Sequence, residues 1–164
     1  MPKLAPKTVA DSAIEGHVYK VFPNDLNAHG TAFGGMIMAK CDRLSLVVAE
    51  RHSSHVCVTA SVDSIHFMAP AKENDTLIFK VSINRAWNSS MEIGVKVVAE
   101  NSYTRGKKHI LSAYFTFVAL NEENKSAPVP QLITETSQQE RRFQQASIRR
   151  KARLKTIEEL NACE

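Results

Sequence analysis

Between Met36 and Ala49 the apolar residues Met36, Ile37, Met38, Ala39, Cys41, Leu44, Leu46, Val47, Val48 and Ala49 leave no continuous polar face. That pattern predicts a helix buried on most sides, running from about Gly34 to Arg51 and closed by Arg51, His52, Ser53 and Ser54. Downstream the apolar period drops to two, the period of half-exposed strands. The first such run, His55 to Phe67, puts Val56, Val58, Ala60 and Val62 on one face, then changes phase to Ile65 and Phe67, as a bulge near Asp63 or Ser64 would require. The second runs from Thr76 through Leu77, Phe79, Val81 and Ile83, with Trp87 in phase. The third uses Met91, Ile93, Val95, Val97 and Ala99, and the fourth Leu111, Ala113, Phe115, Phe117 and Ala119. Turn residues separate them at Asn74-Asp75, Asn88-Ser89-Ser90 and Thr104-Arg105-Gly106. Alternation of this kind belongs to antiparallel strands that share one covered face, not to an all-apolar parallel sheet.

Ahead of the helix, Glu15 to Phe22 reads as a strand ending at Pro23, and Asn24, Asp25 and Asn27 open a polar loop. Behind the strands, Asn121 to Thr136, with Pro128 and Pro130, reads as a solvent-exposed linker. It leads to a helix whose Ser137 and Glu140 are spaced as a capping box and whose Phe143, Ala146, Leu154, Ile157 and Leu160 form an incomplete stripe. The pattern divides the chain into an α+β domain over residues 1–136, linker included, and a helical tail over 137–164 on the surface or against a partner. The core looks complete by Leu120, so removing the tail is expected to leave it folded.

Composition narrows the class. The chain has 164 residues, 43% of them hydrophobic, enough for one domain with a sizeable core. No stretch approaches the roughly 18 uncharged apolar residues of a membrane span, and no apolar leader follows the start, which points to the cytoplasm. Cys41, Cys57 and Cys163 are odd in number and lack metal-ligand spacing, so they read as free thiols. Of the net charge of +4, the segment from Ser137 onward supplies +3, with seven Lys or Arg against four Glu. One basic terminal element reads as a solvated helix face; a nucleic-acid partner would call for a broader basic surface.

The chemistry concentrates between Asn24 and Asp42. Asp42 has Met38 and Leu46 one turn away on either side, and a carboxylate in such surroundings must find hydrogen bonds or reach a cleft. Gly34 and Gly35 let a ligand approach the backbone at the helix start, where the first amides lack intrahelical acceptors and can stabilise an oxyanion. Gly35 and Asp42 lie about 10 Å apart along one helix, too far to act on the same atom, so a shared site calls for two antiparallel helices from a two-fold dimer. Cys41 points about 100° away from Asp42 around the helix, which disfavours a thiol nucleophile.

Three blocks, Asn27 to Asp42 (N-A-H-G-T-A-F-G-G-M-I-M-A-K-C-D), Val58 to Pro70 (V-T-A-S-V-D-S-I-H-F-M-A-P) and Asn88 to Ile93 (N-S-S-M-E-I), closely resemble the cytosolic, brain-type acyl-CoA thioesterases. The resemblance covers roughly Glu15 to Leu120. It implies a hot-dog fold, in which an antiparallel sheet wraps a central helix, and hydrolysis of fatty acyl-CoA at a site shared between subunits of a dimer or a trimer of dimers. No metal or redox cofactor is implied, CoA being part of the substrate. Asn27 and Asp42 stand at the matching active-site positions. Asn27 orients water or holds the thioester oxygen, or else shapes its turn; Asp42 activates water or attacks the thioester. Gly35 supplies an oxyanion amide. Ser89, Ser90 and Met91 are candidates for pantetheine or nucleotide contact, Lys107 and Lys108 for the CoA phosphates, and His29 for shaping the loop. The chain departs from the family pattern at Asn74, commonly glycine, and at Trp87-Asn88. A rival reading keeps the fold and the ligand without catalysis: an acyl-CoA sensor whose basic tail meets a partner.

Overall fold

The computed structural model describes residues 4–163. Two short strands, β1 (Lys7–Thr8) and β7 (Leu132–Ile133), pair in parallel, while β2 (Ile14–Lys20), β3 (Val56–Phe67), β4 (Asp75–Ala86), β5 (Ser90–Asn101) and β6 (Lys107–Leu120) form an antiparallel sheet in the order β2-β4-β5-β6-β3. Helix α1 (Gly34–Ser53) lies on one face of that sheet and helix α2 (Ser137–Asn161) on the other. This is the α+β, helix-in-sheet arrangement that the sequence led us to expect.

The core is built in rows. Phe79, Val97 and Leu111 face one another across β4, β5 and β6, followed by Val81, Val95 and Ala113, then Ile83, Ile93 and Phe115, all buried. Since period-two side chains stay in phase only while the register holds, these rows form one continuous apolar floor. Against it α1 lays the stripe Ile37, Cys41, Ser45, Val48, Ala49 and His52, spaced at three or four residues. Ser54, in the left-handed region at φ 59°, closes the helix by donating its amide to Glu50 O.

Several expectations change here. Helix α1 is buried along one side only in the single chain: Met38 and Val47 are each 37% exposed. β3 is an edge strand with register shifts at Thr59/Ser61 and at Val62/Ser64, so the expected bulge has a neighbour. Val56, Val58 and Val62, which share one face, are exposed, and Cys57 between them is buried. A shift between Ile83 and Arg85 likewise reverses the phase of β4, and Trp87 leaves the core face for the side covered by α2, where the Arg150 guanidinium sits 4.4 Å from its ring centroid. The helix α2 is capped by Thr136, whose side chain accepts from the Gln139 amide, so the cap lies one residue before Ser137; Glu140 instead accepts from Thr134 and Gln144. The linker is not wholly solvated, because Ala127, Val129 and Pro130 are buried. At Asn74, φ is 66°, a turn conformation that asparagine tolerates nearly as well as the glycine it replaces.

The basic tail is reorganised most. Arg142, Arg149, Arg150 and Arg153 all turn onto the sheet: Arg149 makes two bonds to the buried Glu92, at 2.6 and 3.0 Å, and Arg153 pairs with Asp63 and Thr116. Arg149 and Arg153 thus meet carboxylates within the chain, while Arg142 and Arg150 reach the serine hydroxyls of Ser82 and Ser90. The solvated-face reading therefore fails for Arg142, Arg149, Arg150 and Arg153 and holds for Arg141, Lys151 and Lys155, which are exposed.

Where the short β1/β7 pair closes over the end of α1, His52 is fully buried and its Nε2–H donates to Pro130 O at 2.9 Å; Nδ1 has no partner among the described residues. Burial pushes its pKa below the usual 6.5. The ring is thus neutral when folded, while the unfolded chain takes up a proton near the ordinary value. Stability from this group is present above pH 6.5 and is lost as pH falls toward the folded-state pKa. Melting curves between pH 7 and pH 5 should fall more steeply for the native protein than for His52→Gln; equal slopes would refute the assignment.

Candidate active site

The loop ahead of α1 is tied by its own polar side chains. Tyr19 donates to Asp25 Oδ1 at 2.8 Å, Asp25 Oδ2 accepts the Phe22 amide, and Asp25 O accepts the Phe33 amide. The bond to Asp25 raises the Tyr19 pKa, and Lys40 Nζ rests 3.6 Å from the centroid of its ring. Asn27 folds the tip: its Oδ1 accepts the amides of His29 (2.9 Å) and Thr31 (3.3 Å), and its Nδ2 donates to Thr31 Oγ1 at 3.0 Å. Both Asn27 and His29 therefore shape the turn in the single chain, with one Nδ2 hydrogen remaining for a ligand.

Phe33 provides no side-chain cap to α1, and among the described residues the amides of Gly34 and Gly35 have no acceptor. A Cβ at Gly35 would lie 2.5 Å from Phe33 Cε1, so glycine keeps this backbone open to close approach only while the Phe33 ring stays where it is. The helix start is an electropositive mouth with free donors.

Two turns along, Asp42 is half-buried on the flank of α1 that faces away from the core stripe, beside Met38. Thr59 Oγ1 donates to Asp42 Oδ1 at 2.7 Å across from β3. Oδ2 has no partner among the described residues. Sequence reasoning passed over Thr59: a threonine within a valine-rich strand is ordinary, and only its nearness to Asp42 distinguishes it. Cys41 faces the core instead, and burial followed by the neighbouring Asp42 charge pushes its thiol pKa up to about 12, which removes it as a nucleophile at neutral pH.

Other candidates separate. Met91, a candidate for pantetheine or nucleotide contact, has its side chain fully buried in the core beneath α1, where it packs. Ser90 Oγ turns to the α2 side, where Arg150 donates to it at 3.2 Å, and Ser89 O accepts the Ala119 amide. Lys107 and Lys108 are exposed at the start of β6, and Lys107 pairs with Glu100 at 3.4 Å. They stand roughly ten residues, or about 33 Å, along β6 from Phe117, the cross-strand partner of Thr59. One subunit therefore brings together Asp42 and Thr59, and separately Asn27 with the Gly34–Gly35 amides, but not the lysines. Among the described residues no group of three His, Cys, Asp or Glu side chains could hold a metal ion, and no helix is long and apolar enough to cross a membrane.

Comparison with known proteins adds independent findings. Residues 29–105 match the family model described as the thioesterase superfamily. The chain is 37% identical over 120 residues to an acyl-CoA thioester hydrolase of Bacillus subtilis, covering 73% of this chain and 70% of that one. It spans only 37% of the longer cytosolic acyl coenzyme A thioester hydrolase of Rattus norvegicus, at 38% identity. Among solved structures, an apo-hexameric acyl-CoA thioesterase superposes with a TM-score of 0.91 at 30% identity, covering 94% of this chain and 98% of that one. The acyl-CoA hydrolase of Staphylococcus aureus, solved with butyryl coenzyme A, coenzyme A and its disulfide, gives 0.88 at 32% identity over 96% of both chains. Alanine variants of an aspartate, an asparagine and a threonine of that enzyme are also among the similar structures.

Proposed function

Because the chain belongs to the acyl-CoA thioester hydrolases of the thioesterase superfamily, we propose that it hydrolyses fatty acyl-CoA to the free acid and CoA with Asp42 as the reacting carboxylate. The observation that carries this assignment is the Thr59–Asp42 bond on the open flank of α1. Thr59 fixes Oδ1 and leaves Oδ2 to act. In the water route, Oδ2 takes a proton from water as its oxygen adds to the thioester carbon. The resulting oxyanion is stabilised by the Gly35 amide and the helix N-terminus, with Asn27 Nδ2 as a further donor. The C–S bond then breaks and the thiolate recovers the proton. In the covalent route, Oδ2 itself adds to the carbon and expels the thiolate, and water opens the anhydride. The aspartate, asparagine and threonine replaced in the Staphylococcus aureus enzyme have the same spacing along its chain as Asp42, Asn27 and Thr59 here, which supports the assignment. Either route needs only water and the carboxylate, without a metal or redox cofactor. The cytosolic relatives support a cytoplasmic setting.

The site is completed by a second subunit, in a dimer or a trimer of dimers. Three observations favour this. The donors at Gly35 are about 10 Å from Asp42 along one helix. Val56, Val58 and Val62 stand exposed on the edge strand β3, an unpaired edge that a second copy would cover. Beyond Arg153, which bonds β6 and β3, the last turns of α2 carry Leu154, Ile157 and Leu160, all exposed. The hexameric thioesterases of similar fold agree with such an assembly. Ser89 and Ser90 remain candidates for CoA contact through the backbone, and Lys107 and Lys108 for its phosphates if another subunit brings them near.

Subunit mixing tests the shared site. Asn27→Ala and Asp42→Asn proteins, each of low activity, are dissociated and reassembled together at equal amounts. Half the dimers are then mixed and each has one intact site, so about a quarter of native activity should return. No recovery, with exchange confirmed by native mass spectrometry, would show that one chain holds the whole site.

A further inference from the structure

A cavity of about 550 Å³ lies on the side of the sheet opposite α1, between the strands and the first half of α2. Its floor follows from the register. Ser82 on β4 stands opposite Gly94 on β5, and Lys96 stands opposite Ser112 on β6. Small side chains at three of these positions leave a depression. Gly94 is held to glycine because a Cβ there would come within 2.6 Å of Asn84 Nδ2, which is engaged with the buried Glu92.

The lining is cationic on both sides. Lys80 and Lys96, both exposed, are direct cross-strand partners, and like charges directly opposite one another are destabilising unless an anion offsets them. From α2, Arg142 reaches down to Ser82 Oγ at 3.5 Å, and Arg141 also lines the cavity. Among the described residues none of these four side chains is in an ion pair, in contrast to Arg149 and Arg153 farther along the same helix. Glu15, at the β2 rim, is the one carboxylate lining the cavity. The chain thus spends the second half of α2 on internal acids and leaves the first half facing two lysines across an open, polar space.

We propose that this cavity binds a small molecule through a diphosphate group. Two lysines on the floor and an arginine on the facing wall match two linked phosphates better than one isolated anion. Lysine supplies point charges, the guanidinium a paired set of donors, and the hydroxyls of Ser82 and Ser112 further polar contacts. The volume lies within the range of small-molecule sites and exceeds what a single ion fills. The sheet separates this cavity from Asp42, so the inference does not rest on the thioesterase reading and its test reads binding, not turnover. Two sources carry the group, a free nucleoside diphosphate and the CoA portion of a second acyl-CoA.

The probe is inorganic pyrophosphate, titrated calorimetrically into the full chain at constant ionic strength. Saturable binding is expected, together with a rise in melting temperature. The Lys80→Gln/Lys96→Gln protein should bind at least roughly tenfold more weakly and lose that rise. It should melt higher than the native protein when no anion is present, because the repulsion is gone, and its acyl-CoA turnover should be unchanged. Competition by a nucleoside diphosphate and by CoA then separates the sources, the tighter competitor being the ligand class. No saturation at millimolar pyrophosphate, or an unaltered isotherm in the double variant, would overturn the proposal.

Discussion

Asp42→Asn should lower acyl-CoA turnover at least ~100-fold while leaving the protein folded and assembled, the scale of loss when a general base or nucleophile is removed. The substitution is nearly isosteric. Thr59 can still donate to the amide oxygen in place of Oδ1, so the local geometry survives and the lost element is the charge and basicity of the second oxygen. KM for acyl-CoA should change little by comparison, because the carboxylate acts on the reacting atoms and adds no contact to the CoA portion. Measuring thiol release alongside circular dichroism and native mass separates chemistry from folding. A folded, assembled Asp42→Asn protein with near-native turnover would remove this residue from the mechanism and move attention to another group at the shared site.

The second large effect lies on the opposite side of the sheet and concerns stability. Glu92 is 1% exposed, accepts from Asn84 at 2.9 Å and from Arg149 at 2.6 and 3.0 Å, while the Arg149 guanidinium stacks 3.7 Å from the Tyr114 ring centroid. Arg149→Ala leaves that carboxylate buried beside one amide, and breaking a buried pair in this way costs about 3–5 kcal/mol. Urea unfolding at fixed protein concentration should show the loss. A double replacement, Arg149→Met with Glu92→Met, should recover most of it, because an apolar pair of similar volume carries no desolvation penalty. If Arg149→Ala unfolds at the native urea concentration, the pair contributes nothing and α2 is a passive cover. The same contacts bear on the expectation that the core stays folded without the segment from Ser137 onward, since its deletion would uncover Glu92, Asp63 and Trp87 together.

Much of the architecture could be read from period alone. The α1 range, the four long strands and their turns follow from apolar spacing and turn residues, because these are local properties of backbone geometry and side-chain volume. Asp42 could be singled out in the same way, as a carboxylate between Met38 and Leu46 on an otherwise apolar helix. The family blocks then named the chemistry that similarity to known thioesterases supports.

What the pattern could not carry was anything set by a second segment meeting the first. An edge strand and a central strand alternate alike, so the pattern could not tell that the face carrying Val56, Val58 and Val62 is exposed on β3, at the margin of the sheet. The phase of Trp87 depended on a single register shift, and one inserted residue turns every later side chain to the other face. Thr59 became a site candidate only by lying 2.7 Å from Asp42, 17 residues away along the chain. The arginines of α2 looked like a solvated basic face because charge in a sequence has no direction. Their direction was decided by Glu92 and Asp63 on the strands, since a buried carboxylate is tolerated only where a cation from elsewhere in the fold reaches it.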